Sequence, residues 1–238
     1  FSVLIPSRYN SSRLPGKPLA DLSGKTIVRR VFEAAKKSEA KLVCVATDSN
    51  EILNECESFG GKGVLTSKNH KTGSDRLAET VSILSLSDED VVVNLQGDEP
   101  FVNFNDINAV ASLLNDRKVD MATLYADLEF VDETDPNVVK IWSQADGKVV
   151  NFSRNEKKVL DNQLTRSPHI GIYAYRVKFL KEFIKWPQTK NEKKESLEQL
   201  RALERGKIIY AMKSVAKIHL GIDTPEDLHE AQRLLLDD

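Results

Sequence analysis

Short apolar runs alternate with stretches of helical periodicity through the first half of the chain, a rhythm that predicts βαβ units around a parallel sheet. Residues 2–5 (SVLI) form an apolar strand that Pro6 ends, and a long polar segment, 6–25, leads to a helix beginning near Thr26. In that helix Ile27, Val28, Val31, Phe32 and Ala35 recur at helical spacing and mark one buried face. Residues 41–46 predict a second strand, and 50–59 a helix with Ile52, Leu53, Cys56 and Phe59 on one side. A short strand at 63–65 and a helix at 74–84 follow. The β-branched run 90–95 (DVVVNL) predicts a central parallel strand buried on both faces. It ends in Gln96-Gly97-Asp98-Glu99-Pro100, where Gly and Pro turn the chain.

Beyond residue 117 the rhythm changes. Strand-like runs at 119–126, 137–142, 148–152 and 170–175 come with few helices between them, which predicts a smaller mixed or antiparallel extension. Helices are expected at 177–185 and 192–204, a strand at 208–213, and a last helix at Thr224-Pro225-Glu226-Asp227. Thr suits the N-cap, Pro the first helical position, and the two acids complement the helix dipole. The Lys/Glu mixture of 188–196 (QTKNEKKES) reads as a solvated loop and helix start.

The 238 residues, 40% hydrophobic and 29% charged, fit a globular chain with a substantial core. With 34 Lys+Arg against 36 Asp+Glu the net charge is −2, which argues against a broadly cationic surface for nucleic acid. The balance is uneven: residues 1–30 carry six cations against Asp21 alone, a balance of +5, and the other 208 residues carry −7. No apolar run approaches the ~20 residues that span a bilayer. Phe1 opens no secretion-signal pattern, although the sequence does not begin with Met. Two cysteines, Cys44 and Cys56, cannot build a disulfide framework or a structural zinc site. A cytoplasmic location is expected.

Several familiar motifs fail. Gly24-Lys25-Thr26 resembles the end of a P-loop, but Leu19 stands where the first glycine is needed. No G-x-G-x-x-G follows the first strand, and no G-x-S-x-G elbow is present. Asp88-Glu89-Asp90 reads as a turn ahead of a strand.

The chemistry concentrates elsewhere. The loop after the first strand holds Arg8, Arg13 and Lys17 with no acid among them, at the strand end where α/β sheets bind ligands. Three clustered cations restrained by prolines predict a polyphosphate site. Asp98, at the end of the most buried strand, reads either as a turn residue or as a Mg²⁺ ligand, and Asp223, just before the last helix, either as a helix-entry residue or as a second ligand; Mg²⁺ keeps several waters and takes few protein ligands. Phe152-Ser153-Arg154 and His169 supply a cation and an imidazole near strand ends, suited to an acidic substrate, while a lone histidine in a strand reads equally as a satisfied structural residue. Glu198-Gln199-Leu200-Arg201 lies on an amphipathic helix with Leu197, Leu200 and Leu203 inward.

Taken in order, these segments resemble one family. IPSRYNSSRLPGKPL at 5–19 is similar to the signature loop of the 3-deoxy-manno-octulosonate (Kdo) cytidylyltransferases, also called CMP-Kdo synthetases. Further matches are Ala46-Thr47-Asp48, HKTGSDRLAE at 70–79, NLQGDEP at 94–100, Phe152-Ser153-Arg154, HIGIYAY at 169–175, LEQLRAL at 197–203 and GIDTPEDL at 221–228. The resemblance implies one α/β domain over 1–238 like the nucleotide-diphospho-sugar transferases, with 1–116 mainly binding nucleotide and 117–238 mainly binding sugar and forming a homodimer. It implies the reaction CTP + Kdo → CMP-Kdo + pyrophosphate, which activates the sugar for lipopolysaccharide assembly. Arg8 and Lys17 would contact the triphosphate with help from Arg13, and Arg8, Lys17 and Asp98 would carry catalysis. Ser7, Gly73, Ser74 and Arg76 would surround the cytidine, while Asp98 and Asp223 would hold Mg²⁺. Gln96, Arg154, His169, Glu198 and Gln199 would surround the acidic eight-carbon sugar. The chain departs from the family at Ser7, where Ala is common, and at 155–166 (NEKKVLDNQLTR), which is short and lacks the usual Pro and aromatic residues. Cytidylyltransferases for a sialic acid or an amino-Kdo share the nucleotide half, and a silent nucleotide-binding protein is the reading from another class. Retention of both carboxylates and all three loop cations argues against the silent reading.

Overall fold

Val91–Asn94, the β-branched run, occupies the middle of the sheet as strand β6, numbered like all elements in chain order. Val92 and Val93 are fully buried and face opposite hydrophobic clusters, which is why the run carries no polar alternation. The computed structural model describes residues 1–11, 13–127, 138–154 and 163–236. On one side of β6 lie β1 (Ser2–Ser7), β4 (Leu42–Thr47) and β5 (Gly63–Leu65), all parallel. On the other side β10 (Thr165–Arg176) runs antiparallel to β6 and to β7 (Met121–Tyr125). β11 (Ile209–Lys213) then closes that edge parallel to β7. The chain is therefore an α/β domain with a mixed, mostly parallel sheet.

Helices cover both faces. α1 (Ile27–Lys36), α2 (Asn50–Ser58), α4 (Phe104–Ser112) and α8 (Pro225–Leu234) pack with Val3, Ile5, Val43 and Val93. α3 (Gly73–Ile83), α5 (Val177–Phe183) and α7 (Gln199–Leu203) pack with Leu4, Cys44 and Val92 on the opposite face. All five apolar positions assigned to the face of α1 are buried, and Thr26 caps it by accepting from the Arg29 amide.

The small extension is antiparallel, as expected: β8 (Lys140–Ser143) pairs with β9 (Val149–Ser153) and with the first part of β10. β10 is longer than the expected 170–175. Thr165–Pro168 pair with β8, the register shifts between Ile170 and Tyr173, and the rest enters the main sheet. The strand passes from one sheet to the other between Pro168 and His169, and the irregularity around Gly171 lies within its pairing with β7. Of the short segment 155–166, residues 155–162 lie outside those described, as does 137 of the expected 137–142 strand.

Other expectations need correction. Pro6 does not end β1, which continues to Ser7; pairing with β6 stops at Leu4↔Asn94, so Pro6 has only β4 as a ladder neighbour and its missing N–H breaks nothing. The polar segment 6–25 contains a two-strand hairpin, β2 (Asp21–Leu22) with β3 (Lys25–Thr26). α4 was not expected, although Ile107, Val110, Ala111 and Leu114 show helical spacing behind an Asn103 cap. The single helix over 192–204 is two, α6 (Lys190–Glu195) and α7, separated by Ser196 at φ 55°. The 188–196 tract is not all solvated surface: Glu192 is 2% exposed and receives a bidentate pair from Arg201. That guanidinium also lies 4.5 Å over the Phe183 ring.

Candidate active site

The cationic loop after β1 leads to Gly16, whose φ of +67° opens a 3-10 turn over Lys17–Leu19. A left-handed residue there turns Lys17 back toward the end of β6. Lys17 Nζ lies 2.5 Å from Asp98 Oδ2 and 2.9 Å from Asp223 Oδ1, and Arg13 Nη2 lies 2.8 Å from Asp223 Oδ2. Asp98 comes so near β1 because residue 97 is glycine: a Cβ there would fall 2.3 Å from Ser7 Oγ and 2.9 Å from the Pro6 carbonyl oxygen. Asp223 is fixed from two directions. The Ile222 amide donates to the Asp98 carbonyl at 2.9 Å, and the Asp223 amide donates to Asp227 Oδ2 in the first turn of α8 at 2.9 Å.

Burial would push the Lys17 ammonium down, but Asp98 and Asp223 outweigh it and hold its pKa above the ordinary lysine value. Burial opposes ionisation of Asp223 too, yet Lys17 and then Arg13 keep its carboxyl below the usual range. Glu99, next in sequence, has its pKa pushed up to about 7 by burial and then by Asp98 and Asp223. The oxygens of Asp98 and Asp223 converge on one point, which the Lys17 ammonium occupies. Two hard carboxylate donors around a cation-sized position suit Mg²⁺, and among the described residues no group of three or more His, Cys, Asp or Glu forms a fuller metal cage.

This cluster forms one end of a cleft of about 230 Å³, also lined by Ser7, Arg8, Gly73, Arg76, Gln96 and the 70–72 loop. Ser7 Oγ is buried there without a partner among the described residues, a donor held ready for a polar ligand. Arg76 is 3% exposed and holds the wall rather than offering a bare charge: it pairs with Asp48 at 2.8 Å and donates to Thr66 Oγ1. Thr72 and Asp75 form a capping box that fixes the α3 N-terminus, whose Gly73 amide end faces the cleft.

A second cavity of about 660 Å³ adjoins the first, and Arg8, Gly73 and Gln96 belong to both walls. Arg154, His169, Glu198 and Gln199 line it, with Tyr173, Asn94, Ser196 and His219. His169 Nε2 lies 2.9 Å from Thr123 Oγ1, whose own proton is directed at the Ile170 and Ile172 carbonyls, so the imidazole donates there. Burial and then the Arg154 charge press the His169 pKa down to about 3. The ring is neutral, and the cations that line this cavity are Arg154 and Arg8. Burial raises the Glu198 pKa despite the hydrogen bond from Ser74 Oγ at 2.9 Å and the nearby Arg201.

Ser7, Arg8, Arg13, Lys17, Gly73, Arg76, Gln96, Asp98 and Asp223, all singled out in the sequence, thus meet at one cleft. Ser74 stands with the second cavity, bonded to Glu198, rather than in the first. His70, Lys71, Glu99 and His219 were not singled out for roles; His70 sits within the HKTGSDRLAE run and bonds Glu79, while His219 carries no sequence signal at all.

A family model described as "Cytidylyltransferase" matches residues 2–214, so the class is that of the cytidylyltransferases. The 3-deoxy-manno-octulosonate cytidylyltransferases of Actinobacillus succinogenes and Haemophilus influenzae are 42% and 41% identical, each aligned over 99% of this chain and 98% of their own length. A solved structure of CMP:2-keto-3-deoxy-manno-octonic acid synthetase complexed with CTP superposes with a TM-score of 0.89 at 34% identity, covering 99% of this chain and 98% of that one. The chain belongs to the 3-deoxy-manno-octulosonate cytidylyltransferase family.

Proposed function

We propose that this chain transfers CMP from CTP to the anomeric hydroxyl of Kdo, giving CMP-Kdo and pyrophosphate for lipopolysaccharide assembly. The observation that carries the reading is the junction of two cavities, one with the Lys17–Asp98–Asp223 cluster and one with Arg154, at a wall they share through Arg8, Gly73 and Gln96. A nucleoside triphosphate in the first cleft and a sugar acid in the second would bring the α-phosphorus and the anomeric hydroxyl together at that wall. The anomeric oxygen forms a bond to the α-phosphorus, the bond to pyrophosphate breaks, and the hydroxyl proton leaves. Holding the two reactants in line supplies much of the acceleration.

Asp98 and Asp223 would hold Mg²⁺, which when bound supplies Lewis-acid neutralisation of triphosphate charge. Lys17, beside both carboxylates, would turn its ammonium to the departing pyrophosphate. Arg13 follows Asp223, and Arg154 meets the sugar carboxylate. Ser7, Gly73 and Arg76 shape the nucleotide wall, while Gln96, the neutral His169, Glu198 and Gln199 offer hydrogen bonds to the sugar hydroxyls. The same reading includes a homodimer and a cytoplasmic location; no helix among the described residues is long and apolar enough to cross a membrane.

Pyrophosphate release should require CTP, Kdo and Mg²⁺ together and should stop with EDTA. Release with a sialic acid or amino-Kdo but not with Kdo would overturn the substrate assignment.

A further inference from the structure

Arg154 directly follows β9 and lines the second cavity, and contacts that hold it come from elsewhere in the chain. Glu195, the last residue of α6, grips that strand end at three points. Its Oε2 accepts from the Arg154 amide at 2.9 Å and from Ser153 Oγ at 3.0 Å, and its backbone carbonyl accepts from Arg154 Nε at 3.2 Å. The contact Glu195 makes to the guanidinium is through its backbone carbonyl, a neutral acceptor that orients the group. The charge still acts within the cavity, since it contributes to depressing the His169 pKa.

The residue after Glu195 is Ser196, a non-glycine at φ 55° whose Cβ is crowded in that conformation. Ser196, Leu197, Glu198 and Gln199 then line the cavity in succession. A strained corner persists where neighbouring contacts over-determine it; the Ser196 and Leu197 amides donate back to the Glu192 carbonyl, and Glu195 ties the corner to the end of β9. Glu195 therefore links the corner to the strand end that carries Arg154.

We infer that Glu195 is a positioning residue for acid-sugar recognition: it sets Arg154 against the substrate carboxylate through the reach of its side chain, not through its charge. This rests on the function proposed above.

The test is two-substrate steady-state kinetics on the full chain. Glu195→Ala should raise KM for Kdo about tenfold, as expected for loss of hydrogen bonds that support a charged contact, and leave KM for CTP unchanged. Glu195→Gln keeps the reach and the acceptor oxygen and should stay near wild type. Glu195→Asp keeps the charge and loses the reach, and should behave like the alanine variant; it also serves if Glu195→Ala does not fold. Because Glu195 acts through Arg154, Arg154→Ala and the Arg154→Ala/Glu195→Ala double variant should show the same KM for Kdo. Additive losses in the double variant, an unchanged KM for Kdo in Glu195→Asp, or a matching rise in KM for CTP would each overturn the inference. A wild-type chain inert with Kdo would instead overturn the proposed function, and this inference with it.

Discussion

His169 shows how far a residue's surroundings override its type. A histidine lining the cavity proposed for a sugar acid invites the role of a cation, but burial and then the Arg154 charge keep this ring neutral, with a pKa of about 3. Its neighbours are Thr123 on β7, Phe152 and Arg154 from β9, and Tyr173 on β10, none of them an acid that would favour the proton. The unfolded chain releases that proton near the ordinary histidine value of about 6.5. Between those values the unfolded state binds the proton and the folded state does not, so stability falls as the pH drops from 6.5 toward 3. The slope is at most about 1.4 kcal/mol per pH unit and vanishes above pH 7. Denaturant unfolding of wild type and His169→Gln at pH 7, 6 and 5 should therefore give a shallower loss in the variant, by close to one proton. Parallel slopes would mean the ring is already protonated in the folded state.

At the scale of elements, α8 acts on the site through its first turn. Asp227 Oδ2 accepts from the Asp223 and Thr224 amides, and Thr224 Oγ1 accepts from the Asp227 amide at 3.2 Å, a capping box that also holds a candidate metal ligand. Asp227→Ala should cost about 1 kcal/mol of stability. It should also raise the Mg²⁺ concentration needed for half-maximal turnover, because the Asp223 backbone loses one of its two anchors; a stability loss with an unmoved Mg²⁺ curve would limit the box to capping. The Thr-Pro-Glu-Asp start of this helix was legible in the sequence because every capping partner is local. So were β6 and α1, whose apolar periodicity is unbroken. The division of 192–204 at Ser196 was not, because it depends on a serine in a left-handed conformation and on the buried Glu192–Arg201 pair, which contact pattern does not announce. β10 likewise could not be read in full, since its entry into two sheets is a property of its neighbours. At the site, the cationic loop and the strand-end carboxylates stood out by composition, whereas His219 enters the cavity wall only through the path of 214–222.

Across the whole molecule, the basic excess of residues 1–30 is largely answered within the fold. Lys25 and Arg29 share Glu33, Arg30 donates to the Leu22 and Ser23 carbonyls, and Arg13 and Lys17 meet Asp223 and Asp98. Arg8 has no acidic partner among the described residues, is exposed, and lies at the wall common to both cavities. Under the proposed function, a cation so placed would serve the bond being made rather than either substrate alone. Arg8→Ala should lower kcat about a hundredfold, the scale of losing one preorganised charge at a developing oxyanion, with smaller rises in KM for both CTP and Kdo. Arg8→Lys should recover little, because a point charge does not reproduce the planar fork that spans two oxygens. Arg13→Ala provides the contrast: its guanidinium is tied to Asp223 at the end of the cleft proposed for the triphosphate, so its loss should fall mainly on KM for CTP. Two-substrate kinetics on the three variants separates these outcomes. An Arg8→Ala enzyme with full kcat and a raised KM for CTP alone would confine Arg8 to triphosphate binding and leave the junction without its charge.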